Sequence, residues 1–95
     1  MKHRPYRGPW IGKSGRQEMI EIDAIGLLCP LPVLRARKAL IALRPGDLLR
    51  LLADDPVAIV DVPHFCAQGG HSLLSVQDLP QGQAYVIRRG DQGTA

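Results

Sequence analysis

Aromatic side chains are scarce in this 95-residue chain, which has four of them: Tyr6, Trp10, Phe65 and Tyr85. The interior must therefore be packed with aliphatic side chains. A composition of 45% apolar and 22% charged residues is typical of a globular protein. The length suits one domain with a modest core and is too short for two.

Long apolar runs and paired cysteines are also missing. No apolar run approaches the ~20 residues that span a bilayer, and prolines and glycines follow the basic start where a signal peptide would be apolar. Cys29 and Cys66 form neither a CxxC pair nor a zinc-ligand spacing, although one disulfide between them is conceivable. We therefore expect a cytoplasmic protein with free thiols, no metal and no cofactor.

Positive charge is concentrated at the beginning of the chain. The first 18 residues carry a net charge of +4. Because the whole chain carries +3, the remaining 77 residues carry −1. A folded part without net positive charge weakens a nucleic-acid-binding interpretation, which needs basic residues clustered on a folded surface. The alternative, a nucleic-acid-binding or regulatory module, then depends on the basic N-terminal arm.

The chain divides into three predicted segments. Residues 1–18 are rich in Gly, Pro, Lys and Arg without periodicity, which predicts a flexible basic extension. An over-extended start is the simpler explanation of this extension, and an arm that contacts an acidic partner or RNA is the functional one. Residues 19–90 form the predicted folded domain, and residues 91–95 a disordered tail.

Four strands and two helices are predicted within the domain. Alternation from Ile20 to Ala24 indicates the first strand, and three further strands are predicted over 48–53, 72–79 and 83–89. Apolar residues spaced by three and four predict a helix over 32–43. A second helix is predicted to begin at Asp55 and Pro56, with an apolar face of Ala58, Ile59, Val62, Phe65 and Cys66. Pro63 should kink or split it near Asp61.

This order predicts an α/β (α+β) two-layer sandwich. Its topology is β-α-β-α-β-β, with a four-stranded mixed sheet and both helices on one face. The last two strands should form a hairpin, which leaves a possible exposed sheet edge.

Cys29 lies in the most unusual stretch, between the first strand and a double-proline helix start. Pro30 disfavours helical backbone at Cys29, and Pro32 suits the first helical turn because its missing N–H leaves no bond unmade. A thiol at a helix N-terminus is favoured as thiolate, which predicts a lowered pKa and a sulfur nucleophile. The alternative is that Cys29 is a small buried residue at a strand end.

Motifs along the whole domain resemble one family. Gly26-Leu27-x-Cys29-Pro30-x-Pro32-Val33 is followed by Arg37-Lys38, Gly46-Asp47, Asp54-Asp55-Pro56, Asp61, Phe65-Cys66 and His71-x-Leu73. Together these closely resemble the TusA/SirA family of small sulfur carriers. The resemblance covers Ile20 to about Arg89, whereas the basic extension and the residues Ala67-Gln68-Gly69 depart from some relatives.

The resemblance implies that Cys29 carries sulfane sulfur as a persulfide. It also implies that the protein has no catalytic turnover without its partners. The implied partners are a sulfur donor protein, such as a cysteine desulfurase or rhodanese, and a sulfur acceptor protein, for example in tRNA thiolation, molybdenum-cofactor sulfur supply or sulfur oxidation. We expect neither a membrane partner nor direct binding to nucleic acid. Around Cys29 we expect a docking surface of Leu28, Pro30, Leu31, Pro32, Arg37 and Asp55.

Other residues invite competing interpretations. Arg35, Arg37 and Lys38 form either a positive rim for acidic partners or a solvated helix face. Asp55 is better explained as a helix cap than as half of a catalytic pair with Asp54. We expect Cys66 to be a core residue rather than a resolving thiol. His64 and His71 match no standard metal-ligand spacing.

Overall fold

Strands and helices follow one another in the predicted order in the computed structural model, which describes residues 3–5 and 18–91. The strands are β1 (His3–Pro5), β2 (Met19–Asp23), β3 (Leu48–Ala53), β4 (Ser72–Leu79) and β5 (Gly82–Arg88). The helices are α1 (Leu31–Ala42) and α2 (Ala58–Gly69). No helix in the described ranges is both long and apolar enough to cross a membrane.

The four predicted strands form a mixed sheet, as expected. β2 and β3 are parallel, and β5 pairs antiparallel with both β3 and β4. The predicted β-α-β-α-β-β sandwich is confirmed. One strand was not predicted: β1 pairs antiparallel with β2, so the sheet order is β1-β2-β3-β5-β4. Three residues are too few to show alternation, and Pro5 is tolerated because β1 lies at an edge.

Most of the predicted extension, residues 1–2 and 6–17, lies outside the described residues, as do residues 92–95 of the predicted tail. The part that is described, His3–Pro5, is paired backbone. At the other edge of the sheet lies β4, which is exposed along most of its length. The predicted exposed edge is thus the β4 side of the final hairpin.

A single core lies between the helices and one face of the sheet. Ala36 and Leu40 of α1 pack there with three residues of α2 that are spaced by four, Ala58, Val62 and Cys66. The sheet contributes alternate residues, which are Ile22, Leu49, Leu51, Tyr85 and Ile87. Both helices therefore cover the same face, and the predicted aliphatic character of the core holds with Tyr85 as its one buried aromatic ring among the described residues.

The prediction for α2 was wrong in two details, the start of the helix and the placing of Ile59 on its apolar face. The helix begins at Ala58 rather than at Asp55 and Pro56, because residues 55–58 form a preceding turn closed by the Ala58 N–H and the Asp55 carbonyl at 2.9 Å. Pro63 lies inside the helix without splitting it. Ile59, which was placed on the apolar face, is about half exposed.

Buried polar residues hold the C-terminal end of α1. The Arg89 guanidinium donates through Nε to the Leu40 carbonyl at 2.6 Å, and Arg89 is 8% exposed. Asp47 is also buried and accepts the backbone N–H groups of Glu18 and Arg44, each at 3.1 Å. These bonds satisfy orphan groups at a helix end and in a connecting loop.

Candidate functional site

Cys29 lies at the edge of the sheet where the parallel strands β2 and β3 both end. The loops that follow these strands meet there, because parallel strands point their carboxyl ends in one direction. Ala24 N–H donates to the Leu52 carbonyl at 2.8 Å, and Gly26 N–H donates to Asp54 Oδ1 at 2.9 Å. The loop after β3 thus holds the loop that carries Cys29.

Asp55 provides the strongest link between the two loops. Its Oδ2 accepts the backbone N–H of Cys29, and its Oδ1 accepts the N–H of Val57 at 3.1 Å. Contrary to the prediction, Asp55 is not the N-cap of α2, since Val57 occupies that position. Its side chain instead accepts a hydrogen bond within the turn that precedes the helix. Because one carboxylate spans both elements, the position of Cys29 is coupled to the start of α2.

The Cys29 side chain is exposed and contacts a third carboxylate. Its Sγ donates a hydrogen bond to Asp61 Oδ2 at 2.9 Å, and Asp61 lies in the first turn of α2. The alternative that Cys29 is a buried packing residue is therefore excluded. The site consists of one accessible thiol with a carboxylate in contact.

The predicted lowering of the Cys29 pKa was wrong. The hydrogen bond to Asp61 raises the pKa of the thiol, followed by smaller effects of desolvation and of the negative charges on Asp61 and Asp55. The start of α1 offers little compensation. Pro30 and Pro32 have no N–H, and the Leu31 N–H is used by the Leu28 carbonyl at 2.8 Å. The surroundings of Cys29 therefore favour the protonated thiol over the thiolate.

The residues predicted for docking fall into two groups. Leu28 is 69% exposed, Leu31 is 41% exposed and Pro30 is exposed, so all three are available to a partner. Pro32 and Asp55 are buried, and each exposes only a small surface in the groove beside Cys29. Their part in docking stays a prediction.

Arg37 is exposed on α1, six residues beyond Leu31 and so about 9 Å further along the helix axis. The charged groups that shift the pKa of the Cys29 thiol are the carboxylates of Asp61 and Asp55. Whether Arg35, Arg37 and Lys38 dock acidic partners or form a solvated helix face stays a prediction.

Exposed apolar side chains occur in the cysteine loop and at or before the starts of both helices. Leu34 in α1 and Val60 in α2 are 47% and 69% exposed, and Val57 precedes α2. We call Leu28, Leu31, Leu34, Val57 and Val60 the apolar rim. Between the helix starts runs a shallow groove lined by Cys29, Pro30, Pro32, Val33, Asp55, Ala58 and Asp61. Exposed apolar side chains near an accessible groove are typical of a protein-docking surface.

Cys66 and the histidines are separate from this site. Cys66 is 2% exposed in the core, where burial raises its pKa to about 11. His71 is buried, stacks near Phe65 with ring centroids 5.6 Å apart, and accepts the Gly90 N–H through Nδ1 at 2.9 Å. His64 is exposed on α2. Within residues 18–91 no cluster of His, Cys, Asp or Glu is arranged to hold a metal ion.

The contacts of Asp54 and Asp61 with the cysteine loop were not predicted from the sequence. Both residues belong to the motifs that carry the family resemblance. Asp54 anchors the cysteine loop at Gly26, and Asp61 contacts the thiol. The sequence held a topological signal, because one helix follows each of two strands that the structure shows to be parallel neighbours.

Comparisons with known proteins agree with this geometry. A family model described as sulfurtransferase TusA matches residues 20–89. Among solved structures, the chain is similar to a SirA-like protein from Desulfitobacterium hafniense. The two are 30% identical, the match covers 76% of this chain and 97% of that chain, and the TM-score is 0.65.

Proposed function

Since this chain belongs to the TusA family of sulfurtransferases, whose members act in sulfur relay, we propose that it accepts sulfane sulfur as a persulfide on Cys29 and passes it to a partner protein. The observation that carries the proposal is the exposed Cys29 thiol, held in a loop that Asp54 and Asp55 fix to the start of α2. A sulfur carrier of this kind needs one accessible thiol, and it does not need a second cysteine to take part in the transfer.

The chemistry resembles thiol–disulfide exchange. A sulfur nucleophile attacks a sulfane sulfur, and the rate depends on ionisation of the nucleophile and on its access. Cys29 meets the requirement for access. Cys66 does not, because it is 2% exposed in the core. Cys29 is therefore the single sulfur carrier site in this proposal.

The partners in this proposal are proteins. A donor such as a cysteine desulfurase or rhodanese brings a persulfide on its own cysteine, and an acceptor protein removes the sulfur. Both must approach Cys29 over the apolar rim, where truncation of an exposed anchor weakens docking without disturbing the core. We expect Leu28 to contribute most to docking among these anchors, because it precedes Cys29 and is 69% exposed.

The experiment is to incubate the protein with a cysteine desulfurase and cysteine, and separately with thiosulfate and a rhodanese, and to measure its intact mass. We expect the wild type to gain the mass of one sulfur atom, which a reductant removes. Cys66→Ala should gain the same mass, because it is the matched control that keeps Cys29. Equal gain by Cys29→Ser, or no gain by the wild type with either donor, would overturn the proposal.

A nucleic-acid-binding function makes a different prediction. RNA affinity that falls steeply with salt, survives Cys29→Ser and disappears when residues 1–18 are deleted would favour the basic arm as the functional element. Under the sulfur-carrier proposal, deletion of residues 1–18 leaves the sulfur gain at Cys29 in place.

A further inference from the structure

The contact between Cys29 and Asp61 has no role in a carrier that merely exposes a thiol. We propose that Asp61 is the catalytic base of the transfer, taking the Cys29 proton as the sulfur attacks and returning it to the sulfur that leaves. This inference rests on the proposed function and names the group that moves the proton.

Geometry distinguishes Asp61 from the neighbouring carboxylates. Its Oδ2 is 2.9 Å from Sγ, which is within the reach required of a proton acceptor. Asp55 uses its two oxygens for the backbone N–H groups of Cys29 and Val57, and Asp54 accepts the N–H of Gly26. Asp61 also lies on a helix whose other side packs in the core, so its distance from the sulfur is set by a rigid element.

The resting site keeps the proton on sulfur. A carboxylate is a much weaker base than a thiolate, and the negative charges of Asp61 and Asp55 disfavour ionisation of Cys29. Once a new S–S bond begins to form, the attacking sulfur becomes strongly acidic and its proton moves to the carboxylate. A base of this kind acts only in the transition state, where it accelerates the reaction.

The transfer balances without an oxidant. Cys29–SH and a donor persulfide R–S–SH give Cys29–S–SH and R–SH. The Cys29 sulfur bonds to the outer sulfur of the donor, the donor S–S bond breaks, and its electron pair leaves with the inner sulfur. Asp61 receives the Cys29 proton and gives it to that sulfur. In delivery, an acceptor thiol attacks the outer sulfur and the departing Cys29 sulfur regains a proton by the reverse route.

The test compares Asp61→Asn with the matched control Asp78→Asn, an exposed aspartate on β4 that does not contact Cys29. Two rates are measured for each protein at neutral pH: alkylation of Cys29 by iodoacetamide, and sulfur transfer from a persulfidated cysteine desulfurase. Asparagine keeps the shape of Asp61 but cannot take the proton. Circular dichroism confirms the fold of each variant, and Asp61→Glu supplies a conservative replacement.

We expect the two rates to move in opposite directions in Asp61→Asn. Alkylation should become faster, because removal of the negative charge favours the thiolate, while sulfur transfer should fall by roughly tenfold or more. Asp61→Glu should recover part of the transfer, and Asp78→Asn should match the wild type in both assays. These outcomes support the proposal.

Transfer by Asp61→Asn at the wild-type rate or above would overturn it, since Asp61 would then only restrain ionisation. Unchanged alkylation would also overturn it, since the contact would have no effect on the thiol. Failure of the proposed function looks different, because the wild type itself would take up no sulfur while the alkylation comparison still reported on the contact.

Discussion

Replacement of Asp55 by alanine should destabilise the protein and loosen the Cys29 loop together. The side chain is 6% exposed, and its two oxygens accept the N–H groups of Cys29 and Val57. A hydrogen bond to a charged group contributes about 1.5–3 kcal/mol, and water replaces part of this at a half-buried donor. We therefore expect Asp55→Ala to lower the free energy of unfolding by about 2–4 kcal/mol, measured by urea denaturation.

Hydrogen exchange supplies the second measurement for this variant. The Cys29 amide should lose protection in Asp55→Ala, because its acceptor is gone. Asp55→Asn should retain about half of the lost stability, since one carbonyl oxygen can still accept one N–H. The control is Asp78→Ala, which lies on the exposed edge strand and should change stability by less than about 0.5 kcal/mol. A loss below about 0.5 kcal/mol in Asp55→Ala would refute the role assigned to its carboxylate.

Three further predictions concern residues that stabilise the fold. Arg89→Met should lower the free energy of unfolding by about 2–3 kcal/mol in urea denaturation, because the Leu40 carbonyl loses a charged donor; wild-type stability would contradict this. Burial, with the nearby positive charge of Arg89, lowers the pKa of His71. As the pH falls below about 6.5, His71 therefore becomes protonated in the unfolded state before it does in the folded state, which favours unfolding. Stability should thus be full above that pH and fall as the solution is acidified, while His71→Gln, followed by denaturation at several pH values, should show a flatter dependence; equal slopes would refute it. Gly90→Ala should prevent folding or cost several kcal/mol, as seen by circular dichroism, since a Cβ would lie 1.8 Å from the Gly70 carbonyl oxygen; a cost below about 1 kcal/mol would be inconsistent with this close approach.

Periodicity predicted the main elements well. β3 was predicted at its observed bounds, and α1 was displaced by one residue, because a continuous apolar strand and a one-sided helix give strong local patterns. The start of α2 was misplaced for a specific reason. Asp55 and Pro56 satisfy the rules for a helix start, but the Asp55 side chain is committed to Cys29 and Val57 in the turn before the helix.

The candidate site was only partly accessible to sequence reasoning. The strand-to-helix position of Cys29 left open whether its thiol is exposed or buried, and the predicted direction of its pKa shift was wrong. A helix start favours a thiolate in general, yet Pro30 and Pro32 remove N–H groups from it and Asp61 lies 32 residues away in the chain. Contacts of that separation depend on tertiary packing and leave no local pattern.

Mapping the carried sulfur to one of the two cysteines decides whether Cys29 is the carrier. The wild-type protein is loaded by a cysteine desulfurase and cysteine, freed of the donor, alkylated under native conditions and digested for peptide mass mapping. We expect a capped persulfide on the peptide that contains Cys29 and an unmodified thiol at Cys66. In a second loaded sample, an acceptor protein added before alkylation should remove the sulfur from Cys29. Sulfur found on Cys66, or spread equally between the two cysteines, would contradict it.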